Sequence, residues 1–486
     1  MGEHKYRRTA ANLGIFALLV VVSLVLVRCG GSSTPAPGVG SANVTMSDPP
    51  SGTDFDHVYV TVDGVSASIS STSDSGWQTL VDNLSSTSGA ITAVQLDLLH
   101  LPQDGQCLLA QLGSTKSLPV GDYQQIRLQL VPNGATNVTL LSINGGSATN
   151  MCNGSDWNCV VPQGGSTPMT LNLSSQAQTG LKIPPGQVMG GPIHVAAGQS
   201  VDINLDFNAY RSIVMQGNGQ YRLDPVLVAY QTSQNLTGIS GQVVEGQVVS
   251  NALTMTTNAI AGANVALEMA TDPMDGTTSV DLIGNYLRPA DANGNFDFCP
   301  LPAGPFDIVV NAGAGGTTTG NYNATIVTGV PNGTQVTVPL IAETGGPATL
   351  AGDVTATPAD STATSITANL YALQTATSSL EFAVPLLTGS TPPISQISVA
   401  CTAGNCTTSP TGYSLIVPAS NPLIGAFSSG SITWTLPDTT LTPGYKVEAT
   451  CTTATGTDGQ FSTTQNVTAA TTTTVTPALA SLTGCQ

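Results

Sequence analysis

Residues 201–207 read VDINLDF. Apolar and polar residues alternate without a break, which is the period of a β-strand whose successive side chains point to opposite faces. Val201, Ile203, Leu205 and Phe207 fall on one face, and Asp202, Asn204 and Asp206 on the other. The same pattern recurs upstream. YQQIRLQL (123–130) sets Ile126, Leu128 and Leu130 inward with Gln125, Arg127 and Gln129 outward, and HVYVTV (57–62) places Val58, Val60 and Val62 on one face. Alternation of this kind predicts antiparallel sheets with one wetted face, hence sandwiches or barrels.

The composition agrees. The chain has 486 residues, room for two to four domains with real cores. Only 8% of residues are charged, against roughly 25% in ordinary soluble proteins. Surface polarity must therefore come from Ser, Thr, Asn, Gln and Gly. With 52 Gly and 31 Pro, the chain suits short strands and many turns, and no long helical periodicity occurs beyond the N-terminus. The net charge is −18. Residues 1–29 hold Lys5, Arg7, Arg8 and Arg28 against Glu3, so 7 basic and 28 acidic side chains, net −21, lie beyond Cys29. Such a surface repels phosphate backbones, and nucleic acid is excluded as a partner.

The chain has nine cysteines. Setting Cys29 aside leaves an even set without a CxxC pattern, which reads as disulfides in an exported protein, although eight cysteines allow about a hundred pairings. Cys152 with Cys159, and Cys401 with Cys406, are near enough in sequence to close small loops. Cys107 and Cys299 have buried thiols as their alternative.

Behind the basic head MGEHKYRR, the uncharged run Leu13 to Val27 is 15 residues long. It matches a signal-peptide core and falls short of the ~20 residues a spanning helix needs. Extending it back through Thr9 would reach a marginal span, so an uncleaved signal anchor is the alternative. Leu26-Val27-Arg28-Cys29 resembles the lipobox of bacterial lipoprotein signal peptides, with Arg28 where a small residue is the norm. The resemblance implies cleavage before Cys29 and its lipidation, with residues 30–42 as a Gly/Ser/Pro tether, and Gly30 resembles the outer-membrane sorting position.

Residues 43–231 carry, in order, VTMSDPP, DHVYVTVDGVS, VQLDLLHL, LPVGDYQQIRLQL, TGLKI and DFNAYRSIVMQGNGQYRLDPVL. This series resembles a domain-of-unknown-function family of bacterial lipoproteins. It implies a β-rich extracytoplasmic domain and brings no catalytic residues with it. Within that segment, 144–167 reads as a long loop. Residues 236–342 run from LTGISGQVV through GANVALEM to ADANGNFDFCPLPAGPFDIVVNA. That order resembles a carboxypeptidase regulatory-like domain, a small prealbumin-like sandwich, with Phe306 in the usual Tyr position. After AETGGPA (342–348), residues 349–486 read as an Ig-like β unit. The expected fold class is all-β: tandem β-sandwich domains after an N-terminal signal or anchor segment.

Motifs for chemistry are few. Asp291, Asn293, Asn295 and Asp297 space oxygen ligands as a calcium loop does, but Gly294 stands at the fourth position and no Glu closes a twelve-residue loop. Asn293-Gly294 instead predicts a tight I′ turn. No cofactor is expected, and calcium elsewhere on this acidic chain has no assigned position. His57, His100 and His194 lack zinc spacing and read as surface or strand-end residues. GxSxG and phosphate-binding loops are absent. The candidate binding face is the pair of outward rows, Gln125, Arg127, Gln129 and Asp202, Asn204, Asp206, whose amides and carboxylates suit sugar hydroxyls or a polar peptide. The alternative is that Arg127, Lys182, Arg211 and Arg222 pair with Asp206 or Asp224 to tie strands together.

These features predict a bacterial cell-envelope lipoprotein, membrane-tethered and non-enzymatic, that binds, adheres or supports, with a glycan or envelope protein as partner. Carbohydrate recognition by the middle domain is one alternative, tested by exposed aromatic platforms such as Tyr286 and Tyr322. An extracytoplasmic hydrolase is another, tested by titratable groups converging in a pocket.

Overall fold

The computed structural model describes residues 38–485 other than 49–54, 73–74, 88, 105–106, 144–145, 174–179, 216–218, 233–237, 270–278, 303, 314–319, 362, 364, 378–379, 393–394, 402–409, 454–455 and 477. The run Leu13 to Val27, Cys29, most of the tether and Cys406 lie outside the described residues. Within them the chain is all-β, broken only by short turns of helix such as Leu98–His100, Pro185–Gln187 and Ala209–Ser212. No helix among the described residues is long and apolar enough to cross a membrane.

The first unit is a sandwich of two sheets. In one, Val39–Ser47 lies between Ser200–Phe207, with which it runs parallel, and Cys107–Pro119, antiparallel to it. Leu227–Thr232 continues that sheet beside Ser200–Phe207. In the other, the fourteen-residue strand Phe55–Ser68 pairs antiparallel with Ala90–Asp97, Gln125–Leu130 and Cys159–Pro162 along successive parts of its length. Ala42, Val44 and Met46 from the first sheet meet Val58, Val60 and Val62 from the second in one buried cluster. At about 25 cal/mol per Å² of apolar surface removed from water, this inner face is the main source of cohesion.

The expectation of antiparallel sheets with one wetted face needs correcting in two respects. The sheets are mixed, since parallel ladders also join Ile239–Val249 to Gln335–Ile341 and Ala348–Val354 to Thr472–Thr474. The outward faces are also covered. Thr61 and Asp63 are buried, as are Asn204 and Asp206. Trp157 and Asn158, just before the strand Cys159–Pro162, cover the first pair: the Thr61 hydroxyl donates to the Trp157 carbonyl, and the Thr61 N–H donates to Asn158 Oδ1 at 3.0 Å. The next unit covers the other sheet.

Beyond residue 235 the units merge. Tyr230 from the first unit belongs to the same buried cluster as Ile239, Val243, Phe298 and Val338, which Trp434 and Phe427 border from the far end of the chain. One fourteen-stranded sheet spans both later segments. Two parallel ladders cross between them: Ser279–Pro289 beside Leu380–Val384, and Thr325–Val330 beside Leu423–Ser428. The amide of Asn311 adds a bond to the Pro385 carbonyl at 2.6 Å. Segments 236–342 and 349–486 are thus hydrogen-bonded through their strands as well as linked through 342–348.

Candidate functional site

The first candidate row sits on Gln125–Leu130, opposite Gly64, Ser66 and Ser68 of the long strand. The structure corrects its outward placement. Gln125 is 4% exposed, and its amide donates to the Ser70 carbonyl. Gln129 lies over Gly64, where a Cβ would stand 2.2 Å from its Oε1. Only Arg127 and Gln129 retain partial exposure. The Arg127 guanidinium carbon stacks 4.3 Å from the Trp77 ring centre, a cation–π arrangement. The three residues therefore do not form an open binding face, because Ser70 and Trp77 lie against this part of the strand.

The second row departs further. Asp202 is half-buried and accepts from the Asn43 amide at 2.7 Å across the parallel pair. Asn204 and Asp206 are 0% and 1% exposed. The Asn204 amide donates to Ser47 Oγ at 2.7 Å and to the Tyr230 hydroxyl at 2.9 Å. The Tyr230 hydroxyl in turn donates to the Pro300 carbonyl at 2.9 Å. Burial pushes the Asp206 carboxyl up to about 8, which the neighbouring Tyr286 hydroxyl partly opposes. Burial likewise pushes Asp48 well above the usual carboxylate range. Arg288, 7% exposed beside the Phe298 ring, is pulled down to about 10 by its burial, with Asp297, Asp48 and Asp291 opposing. Asn204 and Asp206, which periodicity placed in solvent, thus lie in a buried polar seam between two units. Arg222 pairs with Asp224 at 3.5 Å, and Asp224 also accepts from the Thr367 hydroxyl at 2.9 Å, a tie to the far segment.

Disulfides reinforce this arrangement. Cys152 and Cys159 are bonded at 2.02 Å beneath Tyr59 and Val161. Cys107 bonds Cys299 across the seam, with Cα atoms 4.9 Å apart, and Cys451 bonds Cys485. Cys401 is also disulfide-bonded. In the 291–297 loop, Asp291 Oδ1 accepts the backbone N–H groups of Asn293 and Asn295, each at 2.8 Å. These bonds hold the Asp291 carboxyl below its usual range. Gly294 adopts φ +72° while Asn293 does not take positive φ, so the turn is not the expected I′. The bond from Gly294 N–H to the Asp291 carbonyl makes it a type I turn followed by a left-handed glycine. Tyr286 and Tyr322 are buried, so neither is an aromatic platform for a sugar. An open groove of about 620 Å³ does exist elsewhere, lined by polar groups including Asp82, Asn83, Gln111 and Lys116.

One cluster escaped the sequence reading. His57 Nδ1 lies 2.6 Å from Asp97 Oδ2, and His100 Nδ1 lies 3.0 Å from the same oxygen. Register explains the meeting. Tyr59 opposes Asp97 in the antiparallel ladder, and His57, two residues before Tyr59, shares its face. The 3-10 turn Leu98–His100 then eclipses His100 onto Asp97. The signal was available in VQLDLLHL as Asp97-x-x-His100, but it needed the partner strand's register to gain meaning. His194 pairs separately with Asp122 at 2.6 Å.

Residues 39–225 match the family model of the domain of unknown function DUF4382. No curated protein matches the chain. Among solved structures, a streptococcal ancillary pilin is similar over 82% of this chain and 95% of its own, at 9% identity and a TM-score of 0.16. The Bacillus anthracis TIE protein is similar over 92% of this chain and 50% of its own, at 9% identity and a TM-score of 0.15. The shaft pilin SpaA from Lactobacillus rhamnosus GG is similar over 63% of this chain and 98% of its own, at 6% identity and a TM-score of 0.16. Scores this low carry none of those proteins' roles over to this chain.

Proposed function

We propose that the protein is a bacterial cell-envelope lipoprotein with a non-enzymatic adhesive or structural role. Cys29 anchors it, residues 30–42 space it from the membrane, and the β body beyond presents its surface to an envelope protein or glycan. The observation that carries this reading is the joining of the units. A disulfide spans the first seam, and two parallel ladders span the second. An assembly held by both covalent and sheet hydrogen bonds resists being pulled apart, which display outside the cell requires and catalysis does not. Structural disulfides also fit an oxidising compartment. The middle segment supports its likeness to a carboxypeptidase regulatory-like domain with the turn at Asp291 to Gly294 followed by the strands Asn295–Phe298 and Phe306–Asn311.

Two measurements test the reading. Mass spectrometry of the mature N-terminus is expected to show an acylated Cys29 and loss of Met1 to Arg28, with Cys29→Ala blocking both. An intact Met1 segment would refute the lipid anchor. Cells displaying the protein are expected to be retained on envelope polysaccharide or on partner cells, and retention equal to that of a deletion strain would refute adhesion.

A further inference from the structure

We infer that His57, Asp97 and His100 form a binding site for a divalent transition-metal ion of the zinc class. The three side chains offer one ligand atom each within 4.8 Å of one another. Two imidazoles and one carboxylate are a donor set suited to borderline ions such as Zn²⁺, rather than to Ca²⁺ or Mg²⁺, which prefer all-oxygen shells. In a tetrahedral shell with ligands at about 2.0–2.1 Å, neighbouring donors stand roughly 3.3 Å apart. The gaps of 2.6 and 3.0 Å between the histidine nitrogens and Asp97 Oδ2 need to widen by less than about 1 Å to admit an ion. Both rings can supply that movement, since the His57 and His100 side chains are 39% and 60% exposed. Binding needs each imidazole neutral, with its proton on Nε2 and its Nδ1 lone pair turned to the ion.

The surroundings hold the donors in place. The Val58 N–H donates to Asp97 Oδ1 at 3.2 Å, which fixes the carboxylate and leaves Oδ2 to the two histidines. The His57 ring stacks on Tyr59 at 5.5 Å, and Tyr59 rests on the Cys152–Cys159 disulfide. A bound ion would clamp the 3-10 turn to the long strand and keep at least one coordination position open to water or to a donor from another molecule. The site is independent of the proposed envelope role, and either can fail alone.

The test uses the full chain, purified in detergent without a polyhistidine tag and stripped with chelator. Titration with Zn²⁺ by calorimetry and with Co²⁺ by visible absorption is expected to give one equivalent per chain, with the intense d–d bands of a low-coordinate cobalt site. His57→Ala and His100→Ala are each expected to weaken binding by about tenfold or more. His194→Ala, which removes a histidine paired with Asp122, is expected to leave it unchanged. Should His57→Ala misfold, His100→Ala, in an exposed turn, keeps the test decisive. The proposal is overturned if the wild-type chain binds no better than His100→Ala, or if His194→Ala weakens binding to the same extent. Histidines that only hydrogen-bond Asp97 would give that first result.

Discussion

The Tyr230 hydroxyl donates to the carbonyl oxygen of Pro300, 70 positions away, at 2.9 Å, and receives the Asn204 amide at the same distance. One side chain thus satisfies a group on each side of the seam between two units. Tyr230→Phe keeps the ring and removes both bonds, leaving a buried amide and a buried carbonyl short of partners. The expected cost is about 1–3 kcal/mol, read from chemical denaturation. A loss under about 0.5 kcal/mol, the range of a neutral surface change, would mean that the seam does not depend on this bond.

The covalent staple at the same seam makes a separate prediction. Replacing Cys107 and Cys299 together by serine removes a bridge spanning 192 positions without leaving a free thiol. The expected loss is about 2–5 kcal/mol, seen as a lower Tm for the variant. An unchanged Tm would show that the strands and the buried polar groups suffice.

The seam also predicts a pH dependence. Burial raises the Asp206 carboxyl from its ordinary value to about 8. Between roughly pH 4 and pH 8 the folded chain therefore holds a proton that the unfolded chain has released, so stability falls as pH rises through that window. The contribution is fully present below pH 4 and is lost as pH passes 8, with a slope of at most about 1.4 kcal/mol per pH unit. Asp206→Asn is expected to flatten the curve of Tm against pH in this range. Asp48, raised in the same direction by burial, keeps part of the slope. A wild-type stability that instead rises from pH 5 to 8 would contradict the assignment.

Gly238 enters the seam where a side chain has no room. A Cβ there would stand 2.0 Å from the Phe298 carbonyl oxygen and 2.6 Å from the Cys299 Cβ. Neither atom is the end of a flexible side chain. Gly238→Ala is expected to cost about 1–3 kcal/mol or more and to raise the fraction of protein with free thiols at Cys107 and Cys299. Thiol labelling of the purified variant measures the second effect, and labelling no greater than wild type would place the strain elsewhere.

Much of the local structure was legible in the sequence. VDINLDF and HVYVTV are strands because their period is 2, and no tertiary contact is needed to see it. Period alone, however, does not say what lies over each face. Asn204 and Asp206 look like solvent residues until another unit is packed on them, and Thr61 until Trp157 and Asn158 fold across it. The same limit hid the histidines. His57 and His100 stand 43 positions apart, and only the pairing of Tyr59 with Asp97 brings them onto one oxygen. The short-range Cys152–Cys159 pair could be singled out by distance along the chain, whereas Cys107 and Cys299 carry no local sign of each other.

The Cys152–Cys159 bridge lies inside the span of Cys107–Cys299, and that bears on the order of biogenesis. A chain emerging N-terminus first presents Cys107, then Cys152 and Cys159, and only much later Cys299. Cys107 thus meets two wrong partners before its native one has been synthesised. Closing a loop across seven positions costs far less entropy than closing one across 192. Early closure of the short bridge would remove both competitors and leave Cys107 reduced until Cys299 is available. The short loop would thereby limit mispairing of the long one.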